Sequence, residues 1–260
     1  MRVAIISDTH CGHRAGLTPP KWQWPECDPG EDPLRSKFAT IQRILWGWFA
    51  ATVKKLQPID VLIHMGDAID GTAERSAGTE LITTDLKEQC DIAKECIETV
   101  EAARTHLLYG TPYHTASDGQ DWEAVLAEMV CADIGGHEWY DAEGVIFDCK
   151  HKASSSIIPH GRHTGPSRDW LWNVLWAERG LQPQARVYIR GHVHYHTYCG
   201  DPTRLVITAP CLQAWSKYGS RQCAGTIDIG LLVFDCEGGE YSWKPYLLDM
   251  APMAAQAQPA

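Results

Sequence analysis

The sequence predicts a layered α/β fold. Short apolar runs of strand length alternate with longer segments of helical period. Aspartates and histidines fall just past the ends of several of those runs, where open α/β sheets gather their ligands. The 260 residues, 44% of them hydrophobic, can bury a large core, and neither an internal repeat nor a hydrophilic linker divides them. The expectation is one domain over 1–249 with a flexible tail over 250–260.

Taken in order, the expected strands are Val3–Ser7, Val61–Met65, His106–Tyr109, Val145–Cys149, Val187–Arg190, Leu205–Thr208 and Leu231–Asp235. The stretch from Leu17 to Pro33, rich in Pro, Trp and acids, reads as a loop. Phe38, Ile41, Leu45, Trp48, Thr52 and Leu56 recur at helical steps, as do Leu86, Cys90, Ala93, Ile97 and Val100. A third helix is expected to start near Ser167, a good N-cap, with Leu171, Val174 and Leu175 on one side.

Composition removes several function classes. A net charge of −10 argues against a broad basic grip on nucleic acid, although a local groove stays open. The ten cysteines are scattered and form no CxxC, so no zinc ribbon or redox motif is expected, and free thiols suit a reducing compartment. No apolar run approaches the ~18 residues of a membrane span. Met1-Arg2 leads straight into the first strand. A soluble, cytoplasmic protein is the expectation.

The ligand-type residues carry the chemistry. Asp8 and His10 sit two apart after the first strand and would share one side if the backbone stayed extended. Gly66-Asp67 ends the second strand, His151 follows the run ending at Cys149, and Gly191-His192-Val193-His194 ends another strand. Four imidazoles and two carboxylates without a thiolate suit Mn, Fe, Ni or Zn. Six ligands exceed one four-coordinate site, so two divalent ions sharing a carboxylate are expected.

Asp8-x-His10, Gly66-Asp67, a Gly110-started loop with a histidine, a lone histidine and Gly191-His192-x-His194, in that order, resemble the motifs of calcineurin-like metallophosphoesterases over residues 2 to about 210. The resemblance implies a four-layer αββα sandwich of two mixed sheets flanked by helices. It also implies Asp8, His10 and His194 on the first ion, His151 and His192 on the second, and Asp67 between them. One motif departs: Gly110-Thr111-Pro112-Tyr113-His114 replaces Gly-Asn-His-(Asp/Glu). Thr111 then stands in for an asparagine ligand, with water, Asp118 or Asp121 as alternatives, and His114 becomes the expected general acid.

His160 and His163 compete with His151 for the fourth motif; His151 directly follows a strand, whereas the other two lie in a Ser/Gly/Pro-rich loop. Asp70 is either an outer support for His10 or a turn residue, and His64 a core or supporting residue. Arg162 and Arg168 are phosphate receptors or ordinary surface arginines. Trp22, Trp24 and the Tyr195–Tyr198 region are the aromatic candidates for substrate contact, while the helical tryptophans are expected to pack. The implied activity is hydrolysis of a phosphomonoester or phosphodiester, nucleotide-like or a small diester, by a metal-activated hydroxide. The alternatives are a nuclease of the same superfamily and a non-catalytic scaffold that binds partners. The substrate-binding residues and the oligomeric state are not specified by the sequence.

Overall fold

Arg2–Ile6 forms β1, and its alternating side chains serve two different layers: Val3 and Ile5 face one core, Ala4 and Ile6 another. The chain is described by a computed structural model over residues 1–115, 119–154, 156, 158–216, 225–249 and 251. Helix α1 (Pro33–Leu56) is capped by the Asp32 carboxylate, which accepts from the Arg35 amide, and opens with proline, whose missing N–H costs nothing there. It is followed by β2 (Val61–His64), α2 (Leu86–Glu98), β3 (Arg104–Leu108), the short α3 (Pro112–Thr115) and α4 (Trp122–Met129). Then come β4 (Asp133–Gly135), β5 (His137–Ala142), β6 (Val145–Lys150), α5 (Thr164–Glu178) and β7 (Val187–Arg190). The chain closes with β8 (Thr197–Asp201), β9 (Arg204–Thr208), β10 (Gly230–Glu237) and β11 (Glu240–Leu247).

Two mixed sheets result. One runs β11-β10-β1-β2-β3-β4, with β1 to β4 parallel; the other runs β5-β6-β7-β9-β8, with β6, β7 and β9 parallel. Between them lies an apolar layer of Val3, Ile5, Ile63, Phe147, Ile189 and Phe234, among others. The other face of the first sheet packs on α1, α2 and α4 through Leu45, Phe49, Ile92 and Leu126. The outer face of the second packs on α5 through Tyr188, Val206 and Trp170. The architecture is therefore the four-layer αββα sandwich, with two mixed sheets flanked by helices. Because the parallel strands of each sheet point the same way, the loops after β1, β2, β3, β6 and β7 meet at one end of the sandwich.

All seven expected strands are present, with ends within two residues of those read from the sequence. Among the described residues four further strands appear that were not foreseen: β4, β5, β8 and β11, the edges of the two sheets. In α1 the buried face passes through Phe49 and Val53, so Trp48 and Thr52 ride on its shoulder. The third helix begins at Thr164 rather than Ser167, and its inward positions are Pro166, Trp170 and Asn173. Leu171 and Leu175 point outward, at 54% and 45% exposure. Trp22 and Trp24 lie in the expected loop but pack against the core. The expected tail lies outside the described residues except for Ala251. Among the described residues no helix is long and apolar enough to cross a membrane.

Candidate metal centre

The loops after the strands hold their candidate ligands on an unusual backbone. Asp8, His10, Asp67, His192 and His194 all have positive φ, between 43° and 71°. An L-residue reaches this region only at some cost, although Asp and His tolerate it better than most. The expected extended run through Asp8 and His10 is thus replaced by a chain that leaves β1 and turns left-handed at both ligands. Gly66 precedes Asp67 at φ 98°, where a Cβ would come within 2.8 Å of Gly110 Cα and of His151 Nδ1. Backbone bonds then staple the loops together: Asp8 N–H to Gly66 O at 3.1 Å, His10 N–H to Asp67 O at 3.0 Å and Gly191 N–H to His151 O at 2.9 Å.

Two groups of ligand atoms converge, Asp8 with His10 and His194, and Asp67 with His151 and His192; within each group the atoms lie within 4.8 Å of one another. His10 Nε2 is 3.2 Å from His194 Nε2, and His194 Nε2 is 3.2 Å from Asp8 Oδ1. His151 Nε2 is 3.1 Å from Asp67 Oδ2. Asp67 also groups with His10 and His114, so it lies between the two sets. The Thr111 hydroxyl sits inside the second set, 3.1 Å from His192 Nδ1 and 3.3 Å from both His151 Nε2 and Asp67 Oδ2.

The outer partners fix which nitrogen faces inward. Asp70 accepts from His10 Nδ1 at 2.9 Å, and the Met65 carbonyl accepts from His151 Nδ1 at 2.7 Å. Each ring, when neutral, therefore keeps its lone pair on Nε2, aimed into the site. His114 Nδ1 donates to the Asp70 carbonyl at 2.7 Å, which leaves its Nε2 4.0 Å from Asp67 Oδ2. His64 takes the opposite tautomer: Gly66 N–H donates to its Nδ1, and its Nε2 donates to the Thr9 hydroxyl. Burial pushes His64 down to about 4, so it stays neutral and joins the first two ligand loops.

The charge balance suits cations. Burial favours protonation of Asp8, but His194, His151 and His10 outweigh it and hold the carboxyl far below its usual range. Asp67 is likewise held low against burial by its bond to His151. Burial would lower His151 and His194, yet Asp67 raises the first to about 9, and Cys211 and Asp8 raise the second well above its ordinary value. Burial dominates at His10 and His192 and lowers both. Asp8 Oδ1 is buried with no well-directed hydrogen bond. Lone pairs and carboxylates aimed at common points need positive charge between them, which divalent ions would supply as well as protons do.

The remaining candidates separate clearly. His160 is exposed and His163 bonds Thr197 Oγ1 at 3.0 Å; neither joins the ligand groups. Asp121 caps α4, and Asp118 lies outside the described residues. Arg168 bonds Ser154, while Arg162 stacks over Tyr195 at 4.1 Å and bonds Thr226. Two supports had no clear sequence signal. One is the Met65 carbonyl, since any residue has a carbonyl. The other is Glu123 in the first turn of α4, fully buried and pushed up to about 7 by burial and by Asp67.

No family model and no curated protein matches the sequence. Among solved structures, the chain is similar to Vps29 of Entamoeba histolytica complexed with Zn²⁺, at 12% identity and TM-score 0.45, over 96% of this chain and all of that one. It is similar to Vps29 of Chaetomium thermophilum at 8% identity and TM-score 0.48, over 95% of this chain and 97% of that one. An archaeal phosphodiesterase is similar at 15% identity and TM-score 0.44, over 95% of this chain and all of that one.

Proposed function

We propose that the protein is a dinuclear metal-dependent phosphoesterase acting on a phosphomonoester or phosphodiester, nucleotide-like or a small diester. The observation that carries this reading is the convergence of two Asp/His ligand groups, with Asp67 between them. Asp8, His10 and His194 would hold one ion; His151, His192 and the Thr111 hydroxyl would hold the other; Asp67 would touch both. Mn, Fe, Ni and Zn all suit these donors. Two such ions, when bound, supply Lewis acidity toward phosphoryl oxygens and make a water nucleophilic at neutral pH.

The chain's own groups do the rest. The Asp70 and Met65 oxygens orient His10 and His151, so the ligands need little reorganisation when a substrate arrives. His114 keeps its Nδ1 proton on the Asp70 carbonyl and presents Nε2 beside Asp67; in the imidazolium form, Nε2 carries the second proton, which it would hand to a departing alkoxide, leaving the neutral ring. Thr111 offers a single hydroxyl oxygen where an amide is usual, so the second ion is expected to bind more weakly than the first.

The test is turnover of bis-nitrophenyl phosphate and nitrophenyl phosphate with each of Mn²⁺, Ni²⁺, Fe²⁺ and Zn²⁺. The wild type is expected to hydrolyse at least one of them, and Asp67→Asn to lose roughly 100-fold or more, in line with the loss of a group that clamps both ions. Absence of turnover with every metal would instead favour a scaffold that binds partners.

A further inference from the structure

Glu123 ties together the two loops that build the second ion's site. Its residue is 1% exposed and sits in the first turn of α4, yet its carboxylate makes no bond within its own helix. Asp121 already caps that helix by accepting from Ala124 at 3.0 Å. Glu123 reaches away instead. Its Oε1 accepts from the Ala68 amide at 3.1 Å, and its Oε2 accepts from the Gly110 amide at 2.7 Å.

Those two amides adjoin the residues that matter. Ala68 follows Asp67, and Gly110 precedes Thr111. On the next amide along, Thr111 N–H donates to Asp67 Oδ1. Consecutive amides of the Gly110-Thr111 loop are therefore held by two different carboxylates, and one of these, Glu123, also holds the loop that carries the other. The result is a closed ring of Asp67-Ala68, Glu123 and Gly110-Thr111. Gly110 lies so close that any side chain on it would run into the Asp67 amide and carboxylate. Within this ring the Thr111 hydroxyl bonds Asp67 Oδ2, at 3.3 Å, so its place between His151 and His192 follows from how the Gly110-Thr111 backbone and the Asp67 loop are held together.

We propose that Glu123 is a positioning residue that clamps the Thr111 loop onto the Asp67 loop and thereby sets the affinity of the second metal ion. The inference rests on the two-ion reading above. The first site meets the clamp only through the Asp67 loop, where Asp8 N–H bonds Gly66 O and His10 N–H bonds Asp67 O, and its side chains have anchors of their own. His10 is oriented by Asp70, Asp8 makes its bonds to Ser7 and the His192 amide, and His194 is held through Asp228 and Asp8. Losing the clamp should therefore divide the two ions, where a general loosening of the fold would weaken both.

The experiment is calorimetric titration of the full metal-free chain with Mn²⁺ or Zn²⁺ alone, in wild type and in Glu123→Gln. The amide keeps the size but offers one acceptor, so one of the two N–H groups loses its partner. The wild type is expected to bind two ions. In the variant, the weaker ion should lose roughly 10- to 100-fold in affinity, as outer supports of metal sites do, while the tighter one stays within about threefold. Glu123→Asp keeps the charge but withdraws it by one methylene, and is held to the same criterion should Glu123→Gln not fold. Equal losses for both ions, or none for either, would overturn the role of Glu123 alone. A wild type that binds fewer than two ions would overturn it together with the dinuclear reading.

Discussion

A neutral imidazole has one lone pair to give, and its hydrogen-bond partner decides which nitrogen keeps it. Three rings of this site have Nδ1 engaged by an oxygen of Asp70 or Met65, which turns Nε2 inward. Asp70 serves two of them, its carboxylate holding His10 and its carbonyl holding His114. Asp70→Asn is therefore expected to weaken the first ion roughly 10- to 100-fold in a competition titration against a chelator. An unchanged affinity would reduce Asp70 to a turn residue. His114→Ala should slow esters with alkoxide leaving groups by roughly 10²- to 10⁴-fold while sparing activated nitrophenolates, which need no acid. Equal losses on both would remove the proton from His114. The gathering of Asp and His side chains at one end of the sheets was legible in the sequence because these residues at strand ends are a chemical signal. The tautomers, the Met65 carbonyl and Glu123 were not, since each depends on a partner dozens of residues away.

At the scale of elements, the central strands were legible because both of their faces are buried and their runs are apolar. The edges were not: β4 is three residues long, β8 reads Thr-Tyr-Cys-Gly-Asp, and each pairs on one side only. On α5, apolar residues lie on two sides: Leu171 and Leu175 face outward, while Trp170, expected to pack, does so inward beneath Arg204 at 4.0 Å. Leu175→Ser should accordingly change stability by no more than about 0.5 kcal/mol in chemical denaturation, against about 2–5 kcal/mol for the fully buried Leu45→Ala. A large loss at Leu175 would contradict its outward placement.

The strand that delivers His192 and His194 is anchored by charge. Arg190, 2% exposed, meets Asp148 at 2.8 Å and Asp169 of α5 at 3.0 Å. Burial would raise Asp148, but bonds from His137 and Arg190 outweigh it and hold the carboxyl below its ordinary 3.8. A carboxyl lowered in the folded state adds stability above that ordinary value, and the contribution fades as pH falls through the folded one. Asp148→Asn should cost about 3 kcal/mol at neutral pH, the low end for a broken buried pair because Asp169 remains. Its stability should also fall less steeply than the wild type's below pH 3.8, a slope that denaturation at stepped pH would reveal. Parallel acid limbs would contradict the assignment.

The molecule as a whole is a sandwich whose two sheets bring five loops to one end, with opposing charges and left-handed ligands held there by the packing behind them. Ions that bind only this folded arrangement should stabilise it, by about 2.7 kcal/mol at a hundredfold excess over Kd. For a chain of this size that corresponds to roughly 5–10 °C in melting temperature, removable with a chelator. The most direct measurement is anomalous scattering from crystals grown with Mn²⁺ or Zn²⁺. Two peaks are expected, typically ~3.5–4 Å apart, one among Asp8, His10 and His194 and one among His151, His192 and Thr111, with Asp67 between. A single peak, or ions bound away from these residues, would contradict the account.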